Sequence, residues 1–491
     1  MIHFPKRGIR QRNRPRNKQG KLSRKIVRKC YLEIAGRKAL VIGAARSGIA
    51  SARFLSAHGA TVAVNDQKPF EQWSAPALAL QEKGIGCLPG DVPTWLLDQV
   101  DLVVVSPGVP SNSIPLRYAE RAGAEVIGEI ELAYRFLKGR TVAITGTNGK
   151  TTTTTLIAAL LRDAGLTTQV GGNIGTPLIS LTETSSDEGW TVAEVSSFQL
   201  ETIREFHPTV AVVLNVTPNH MDRYESFSDY AAAKHRIFMN QTRGDVAVLN
   251  ADDQVVSSWG SGLRAHVVRF SVTNELDEGL FLRDRQIVSR TQGGERVLMS
   301  RDEMNLRGLH NVENVLAAFA AGLACGAGPD SMRQTVRGFQ PVEHRLEFVD
   351  EIGGVQFYND SKATSVDATL KALQAFQADP GKLIIILGGR GKRAPYAPLG
   401  PLVKEKARKL LLIGEDADTI AEEIGDCAPI ERAVGMNDAV ERSFNAAEPG
   451  DIVLLAPACA SFDMFDSFEQ RGSVFKIAVK NLKQDRCLSR R

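Results

Sequence analysis

The sequence predicts an α/β protein of three domains, each built on a mostly parallel sheet. The first reason is length, because 491 residues exceed the usual size of one domain. The second is that short apolar strands alternate with helical segments along the chain, without a short-period repeat. The third is that polar or glycine-rich loops follow many of these strands. Because open parallel sheets bind ligands at the carboxyl ends of their strands, these loops are candidate sites. We expect domains at 36–128, 129–341 and 342–485, after an extension at 1–35.

The expected extension differs in charge from the rest of the chain. The chain has 60 Lys/Arg and 56 Asp/Glu, but residues 1–30 hold 12 of the basic residues and no acidic one, which leaves the remainder near −8. The extension lacks the apolar core and cleavage site of a secretory signal. A disordered extension or an upstream start codon is favoured; a transit peptide, or binding to nucleic acid or anionic lipid, is the alternative.

Composition narrows the class of protein further. Apolar residues make up 43% and charged residues 24% of the chain, as in globular proteins. A run of eighteen apolar residues is missing, so we expect no membrane span. The six cysteines are scattered without a C-x-x-C pair, which argues against a zinc knuckle or a disulfide framework and favours the cytoplasm.

The first domain carries a near match to the dinucleotide-binding fingerprint. A strand at 38–42 leads into a glycine-containing turn at 43–48, and a second strand at 61–65 ends at Asp66. The middle glycine of G-x-G-x-x-G lets backbone approach a pyrophosphate, but Ala45 stands there. We therefore expect a Rossmann-like nucleotide-binding domain, with an NAD-dependent dehydrogenase as an alternative.

The second domain begins with the strongest motif of the chain. A β-rich run at 141–145 leads into Gly146-Thr147-Asn148-Gly149-Lys150-Thr151, and a helix-compatible run follows. Strand, glycine loop, Lys-Thr and helix form the layout that binds nucleotide phosphates, with the threonine hydroxyl available to Mg²⁺. The usual first glycine of the P-loop is replaced by Ile144, so an ordinary strand-to-helix turn with an exposed lysine is the alternative.

Later segments of this domain add polar groups near strand ends. Glu194 lies two residues from the end of an apolar strand and is either a Mg²⁺ ligand or a salt-bridged edge residue. His220 follows a strand at 210–215 and is either a ligand or a packing residue. Lys234 lies on a predicted helix at 229–239, where a solvated lysine is the ordinary interpretation. Amides at 311 and 314 share a helix face that could read a base edge or cap the helix.

With these segments in view, the chain resembles the Mur ligases, the ATP-dependent amide-forming family of peptidoglycan synthesis. The motif GTNGKTT also occurs in the related folylpolyglutamate synthetases, which remain an alternative along with other Mur ligases. More specific are GGNIG, EVSSFQLE, NVTPNHMDRY, NDSKATS and PACASFDMFDSFEQRG, in this order. The resemblance covers about residues 36–480 and is strongest to the branch that adds D-glutamate to UDP-N-acetylmuramoyl-L-alanine.

The resemblance implies three domains: a Rossmann-like N-terminal domain, a central P-loop-type ATPase domain and a C-terminal Rossmann-like domain that binds the incoming amino acid. It implies transfer of the γ-phosphate of ATP to a carboxylate, followed by attack of the amine of D-glutamate. It also implies a cytoplasmic monomer that uses Mg²⁺ and does not bind nucleic acid. Because ATP contacts would come from two domains, we also expect a hinge closure.

The resemblance assigns residues to each role. The catalytic residues would be Lys150, Glu194, His220 and a carbamylated Lys234, with Thr151, Glu194 and His220 as metal ligands. ATP would contact Gly146, Thr147, Asn148, Gly149, Lys150, Thr151, Thr152, Thr153, Asn311, Asn314, Arg345 and Asp360. The UDP-substrate would contact Ser47, Asp66, Ser106, Gly108 and Asn173. D-glutamate would contact Lys362, Thr364, Lys392, Ser461, Phe462 and Phe468. Two departures from the family pattern could alter substrate affinity: Arg390 in the third domain, and Lys68 with Arg46, which make the uridine pocket more basic.

Overall fold

A computed structural model of the protein describes residues 32–221, 223–306, 308–340, 343–376, 381–392 and 394–488. The predicted extension at 1–35 lies outside the described residues, apart from its last four. Within the described ranges the chain forms three α/β regions, each with its own sheet, as the sequence predicts. Each helix within these ranges is too short or too polar to cross a lipid bilayer.

The first region has the Rossmann-like arrangement that its fingerprint predicts. Its strands are β1 Lys38–Ile42, β2 Thr61–Asp66, β3 Gly86–Pro89, β4 Leu102–Val105 and β5 Glu125–Gly128. All pair in parallel, in the order β3–β2–β1–β4–β5. Its helices are α1 Arg46–Ala57, α2 Ala75–Leu78, α3 Thr94–Leu97, α4 Ile114–Arg121 and α5 Glu129–Phe136. β4 is apolar and buried throughout, as expected of a parallel strand covered on both faces.

The central region is built around the strand that leads into the glycine loop. Its strands are β6 Arg140–Thr145, β7 Thr168–Gly172, β8 Trp190–Glu194, β9 Val210–Val213, β10 Val246–Asn250, β11 His266–Ser271, β12 Gly279–Arg283, β13 Gln286–Thr291 and β14 Gly294–Ser300. Their order is β14–β13–β12–β11–β10–β9–β6–β8–β7. Its helices are α6 Lys150–Asp163, α7 Ser197–Leu200, α8 Phe227–His235, α9 Gln254–Ser258, α10 Leu309–Cys325 and α11 Pro329–Gly338.

The prediction that strands and helices alternate throughout the chain is wrong for one part of this region. Residues 266–300, all of which are described, contain β11 to β14 in succession without an intervening helix. β12 pairs with β13, and β13 with β14, in antiparallel hairpins at the edge of the sheet. The turns are two residues long, too short for a crossover helix. The parallel core of the sheet is unaffected.

The third region is again mostly parallel. Its strands are β15 Glu347–Ile352, β16 Val355–Asn359, β17 Leu383–Gly388, β18 Ala407–Ile413, β19 Ile430–Arg432 and β20 Ile452–Leu455, in the order β15–β16–β20–β17–β18–β19. Only β15 pairs antiparallel among these described strands. Its helices are α12 Val366–Gln374, α13 Gly400–Lys406, α14 Ala417–Ile424, α15 Met436–Ala446 and α16 Phe468–Leu488.

Helix α5 joins the first region to the central one through buried charges. The carboxylate of Glu131 accepts hydrogen bonds from the backbone N–H groups of Arg204, Glu205 and Phe206 in the central region. Arg135 donates to Glu131 at 3.0 Å and to Glu125 of β5 at 2.7 Å. Because a buried charge is costly unless it is paired, these contacts hold α5 in one position between the two regions.

Candidate functional site

The predicted site residues collect at the carboxyl ends of neighbouring strands. In the central sheet β7, β8, β6 and β9 are adjacent in that order, and their loops contain Asn173, Glu194, the glycine loop and His220. The strand-end rule for open parallel sheets therefore brings four segments of distant sequence to one edge. A cavity of about 300 Å³ lies there.

The glycine loop has the backbone conformation that its glycines permit. Gly146 has a φ of 154° and Gly149 a φ of 82°, and a Cβ on Gly149 would lie 2.3 Å from Oδ1 of Asn314. Ile144, where a P-loop glycine was missing, is a buried residue of β6 instead. The loop is therefore shorter than a standard P-loop, and its two glycines have conformations that favour glycine.

Lys150 begins α6 and folds back over this loop. Its ammonium donates to the carbonyls of Gly146 at 3.0 Å and Thr147 at 2.8 Å. Burial lowers the pKa of Lys150. Carbonyl oxygens hold the ammonium beside the cavity, where the phosphate oxygens of a nucleotide would be stronger acceptors.

Glu194 is the buried acid of the site. Its carboxylate accepts a hydrogen bond from the Thr151 hydroxyl at 2.8 Å and another from the Asn173 amide at 2.8 Å. Thr151 and Glu194 together offer the hard oxygen ligands that Mg²⁺ prefers. The donor set therefore fits the predicted metal, and the edge-residue interpretation of Glu194 is wrong, because the residue is 2% exposed.

Lys234 is not the solvated lysine that its helix would ordinarily display. Helix α8 begins at Phe227, because the Ser226 side chain caps it by accepting the Asp229 N–H, and it ends at His235 rather than at 239. The Lys234 side chain is 2% exposed, and its ammonium donates to the Gly146 carbonyl at 2.8 Å. Burial, followed by the positive charge of Lys150, places the pKa of Lys234 well below its usual value.

His220 lies on the next loop in a strained conformation. Its φ is 58°, and its carbonyl accepts the N–H groups of Arg223 at 3.0 Å and Tyr224 at 3.2 Å. The imidazole packs edge-to-face on Phe198, with ring centroids 4.9 Å apart. Residues held with a positive φ cluster at functional sites, since the surrounding structure must stabilise them.

The two predicted amides are neighbours on α10. Asn314 donates to Asn311 at 3.0 Å and accepts from the Thr153 hydroxyl at 3.2 Å. Both amides line the cavity, as does Thr152. Thr153 is fully buried behind the loop and is not among the lining residues, so it supports Asn314 instead.

The third region contributes Arg345 and Asp360 to the same cavity. Arg345 donates to the Thr151 hydroxyl at 2.7 Å, and its neighbours His344 and Leu346 have φ values of 63° and 43°. Asp360 follows β16 and lines the cavity. Burial raises the pKa of Asp360 to about 7, although the charge of Arg345 opposes this.

The predicted D-glutamate residues are brought together only in part. Lys362, Thr364 and Lys392 line the cavity, and Lys392 donates to Thr364 at 3.4 Å. The Lys362 ammonium lies 3.7 Å from the ring centroid of Phe468. Ser461 is buried and Phe462 is 66% exposed, and neither is among the lining residues. Arg390 forms a two-point ion pair with Glu415, at 2.9 and 2.8 Å.

A second cavity of about 540 Å³ lies at the carboxyl ends of β2, β1 and β4. Asp66 anchors its glycine turn by accepting the Ala44 N–H at 2.8 Å, and the Ser106 hydroxyl donates to the Gly43 carbonyl at 3.0 Å. Asn173 lines both this cavity and the first one. The predicted UDP-substrate residues all line it, and Arg46 also lines it; they are Ser47, Asp66, Ser106, Gly108 and Asn173.

Some residues at the site escaped prediction from the sequence. Asp367 of α12 accepts hydrogen bonds from Asn148 of the glycine loop and from Thr217, and Lys371 lines the same cavity. His310 also lines it, and burial lowers the pKa of His310 to about 4. A lone Asp, Lys or His on a helix has no sequence signal that distinguishes it from a surface residue.

Family models match most of the described chain. Residues 37–128 match the MurD-like N-terminal domain of Mur ligases, residues 144–322 the Mur ligase middle domain, and residues 344–459 the Mur ligase glutamate ligase domain. The chain belongs to the Mur ligase family. The dehydrogenase alternative receives no support, since its fingerprint lies inside the first of these matches.

Curated relatives extend this Mur ligase assignment. The UDP-N-acetylmuramoylalanine--D-glutamate ligase of Acidobacterium capsulatum is 47% identical over 450 residues, which are 91% of this chain and 97% of the relative. The ligase of the same name from Solibacter usitatus is 49% identical over 453 residues, 92% of this chain and 99% of the relative.

Solved structures share the fold of this Mur ligase at low sequence identity. A pseudomurein peptide ligase type C from Methanothermus fervidus matches with a TM-score of 0.58 and 19% identity, over 91% of this chain and 100% of its own. The UDP-N-acetylmuramate-alanine ligase MurC from Thermotoga maritima matches with a TM-score of 0.57 and 18% identity, over 91% and 100%.

Proposed function

We propose that this Mur ligase joins D-glutamate to UDP-N-acetylmuramoyl-L-alanine, with hydrolysis of ATP to ADP and phosphate, in peptidoglycan precursor synthesis. The observation that carries the proposal is the pair of cavities that share Asn173. One has the phosphate-binding loop and the other the Rossmann-like turn, as a reaction between a nucleotide-linked substrate and ATP requires. The names of the curated relatives support the same reaction.

In this proposal ATP binds in the cavity at the glycine loop. Residues 147–152, which line the cavity, surround the phosphates, with Gly146 and Thr153 at either end of this segment, and Lys150 moves from its backbone carbonyls to the β- and γ-phosphates. Arg345 adds a second cation to the phosphates. The amides of Asn311 and Asn314 face adenine, and Asp360 accepts from the ribose hydroxyls. Phosphoryl transfer mostly needs positioning and charge neutralisation, which these groups supply.

Mg²⁺ would be held by Thr151, Glu194 and His220. When bound, Mg²⁺ neutralises charge on the phosphates and on the carboxylate that accepts the phosphoryl group. Asn173, which lines both cavities, would orient that carboxylate at their boundary, and Glu194 would act on it through the metal. Closing the site around it would exclude water, which competes with the amine for the acyl phosphate.

We also propose that Lys234 is carbamylated. Its lowered pKa favours the neutral amine, whose lone pair can attack CO₂. The new N–C bond forms as one C=O π bond becomes the C–O⁻ group, and the nitrogen releases a proton. The product carries a negative charge where the amine was neutral, which suits a position beside cationic Lys150 and the metal that Thr151, Glu194 and His220 would hold.

The UDP-substrate and D-glutamate would approach Glu194 from opposite sides. Ser47, Asp66 and the loop from Ser106 to Gly108 would hold the UDP part, and Asn173 the muramoyl-alanine part. Lys362, Thr364 and Lys392 would bind the carboxylates of D-glutamate, with Ser461, Phe462 and Phe468 around it. Cationic and hydroxyl groups favour a dicarboxylate over uncharged amino acids.

Three further expectations accompany this function. We propose functional domains at 36–128, 129–341 and 342–485, each of which binds one of the three substrates. Because one chain supplies every residue named here, we expect an active monomer. Because the substrates are ATP and a nucleotide-linked precursor, we expect the protein to work in the cytoplasm, with no part for nucleic acid.

Phosphate release by the full chain tests the proposal directly. The reaction contains ATP, Mg²⁺ and UDP-N-acetylmuramoyl-L-alanine, with D-glutamate, L-glutamate, a diamino acid or no amino acid. Release that depends on D-glutamate alone is the expected result. Release that depends on a diamino acid would indicate another Mur ligase activity. Equal release under all conditions would leave the ATP site standing and contradict the choice of amino acid.

A further inference from the structure

Arg223 of the central region contacts a loop that lines the second cavity. Its guanidinium donates to the carbonyl of Pro107 at 2.7 Å and to that of Val109 at 3.0 Å. These two carbonyls flank Gly108, and the loop that carries them lines the 540 Å³ cavity. One planar side chain thus holds the loop on both sides of a predicted substrate-binding residue.

The same guanidinium also contacts the packing partner of His220. It lies 3.9 Å from the ring centroid of Phe198, and the same ring contacts the edge-to-face imidazole of His220 at 4.9 Å and stacks on Tyr224 at 5.8 Å. The backbone N–H of Arg223 donates to the His220 carbonyl at 3.0 Å. Arg223 therefore supports both the ring of His220, through Phe198, and its strained backbone.

Glu201 balances the charge of Arg223. Its carboxylate lies 3.3 Å from the guanidinium and accepts the Tyr224 hydroxyl at 2.5 Å. The side chain of Arg223 is 14% exposed. A guanidinium that is already paired and nearly buried is suited to fixing neighbouring groups rather than to neutralising a substrate charge.

We infer that Arg223 is a positioning residue that couples binding of the nucleotide-linked substrate at the Ser106–Pro110 loop to the metal-binding geometry of His220. The inference rests on the proposed function, since it needs both a UDP-substrate and a metal. When the substrate orders the Ser106–Pro110 loop, the loop carbonyls hold the guanidinium of Arg223 in position. The guanidinium then holds the ring of Phe198, and this ring holds the imidazole of His220. Coupling of this kind is reciprocal, so metal at His220 strengthens substrate binding by the same factor.

The variant Arg223→Lys tests this role because lysine keeps the charge but cannot bridge two carbonyls and cover a ring at once. Calorimetry gives the affinity for UDP-N-acetylmuramoyl-L-alanine with and without Mn²⁺, in the absence of ATP. In the wild type Mn²⁺ should tighten substrate binding; in Arg223→Lys we expect substrate affinity about tenfold lower and the effect of Mn²⁺ lost. The Mg²⁺ concentration for half-maximal turnover should rise about tenfold.

The variant Phe198→Leu distinguishes the contact of Arg223 with the substrate loop from its effect on His220. It also provides a test if Arg223→Lys does not fold. It leaves the carbonyl contacts of Arg223 in place but removes the ring that His220 packs on. Substrate affinity without metal should stay at the wild-type value, while the Mn²⁺ effect is lost. The control is Arg204→Lys. Arg204 also joins the two regions, through an ion pair with Glu120 at 3.6 Å, but this pair lies on the surface. The control variant should behave as the wild type.

Each outcome decides the role of Arg223. Loss of the Mn²⁺ effect in both variants, with the control unchanged, supports it. A wild type in which Mn²⁺ does not alter substrate binding, or an Arg223→Lys variant with unaltered Mn²⁺ effect, overturns it. A wild type that binds the substrate but releases no phosphate with D-glutamate contradicts the proposed function instead, and the calorimetric comparison still stands.

Discussion

The side-chain amide of Asn173 donates a 2.8 Å hydrogen bond to the carboxylate of Glu194, and this bond lies where the two cavities meet. The other carboxylate oxygen accepts from Thr151 of the phosphate-binding loop at 2.8 Å. Glu194 thus contacts a residue of the substrate cavity on one side and a residue of the nucleotide loop on the other. The boundary between the cavities is where a substrate carboxylate and a γ-phosphate would meet.

The first prediction concerns the lysine of the glycine loop. Lys150→Ala should lower turnover by roughly two or more orders of magnitude, because it removes a positive charge at the transferring phosphate. The fold should persist, because the ammonium bonds only to loop carbonyls among the described residues. Phosphate release is the measurement, and Lys138→Ala, an exposed lysine of the same region, is the control. Near-wild-type turnover in Lys150→Ala would remove the basis of the ATP site.

The second prediction tests the proposed carbamylation of Lys234. Lys234→Ala should be inactive, and small carboxylates such as formate or acetate should partly restore its turnover by replacing the negative charge of the carbamate. The matched control is Lys150→Ala, which lacks a cation and should not respond to carboxylates. If a broad concentration series of anions leaves Lys234→Ala inactive, the carbamate proposal loses its support.

The site residues on strand ends could be predicted because their signals are local. An apolar strand followed by a polar residue can be recognised from a few consecutive residues. Parallel strands place such residues at one edge of the sheet. This pattern predicts Asp66, Ser106, Glu194 and His220; the first two line the second cavity, and the last two line the first.

Other features depend on contacts that no local pattern encodes. Asp367 reaches Asn148 across 219 residues of sequence. Ser461 is not among the residues that line the first cavity; its loop contains Ala458, whose φ is 60°, and the carbonyls of Cys459 and Ala460, which accept from Arg471. Strands β12 to β14 form antiparallel hairpins at the edge of the sheet, and the lengths of the turns between them determine how they pair.

The third prediction tests the contact between the third region and the glycine loop. Asp367 accepts a close hydrogen bond from Asn148 and one from Thr217 at 3.1 Å. Asp367→Ala should raise the KM for ATP about tenfold, because the loop loses a partner that holds it in place. In small-angle scattering, the compaction caused by an ATP analogue and UDP-substrate should be smaller than in the wild type.

Asp418→Ala is the control for this variant, since Asp418 is an exposed acid of the same region that pairs with Arg432. Its KM and scattering should match the wild type. An unchanged KM for ATP in Asp367→Ala would contradict a role for this contact in nucleotide binding. Wild-type profiles that are identical with and without ligands would contradict the closure itself.

The last prediction follows from the protonation of Lys362. Burial, followed by the positive charge of Arg345, lowers the pKa of Lys362 to about 8. Below that pH the side chain is a cation that attracts the carboxylates of D-glutamate, and above it the side chain becomes neutral. The KM for D-glutamate should therefore increase as the pH is raised beyond 8. Well above the pKa, the increase should approach about tenfold for each pH unit.

Lys362→Arg isolates this effect, because arginine stays charged and can still cover the ring of Phe468. In this variant the rise in KM should disappear below pH 9.5. The amine of D-glutamate titrates in the same range, but it does so equally in both proteins, so their ratio of KM values reports Lys362 alone. A ratio that stays constant from pH 7 to 9.5 would show that the charge of Lys362 does not govern D-glutamate binding.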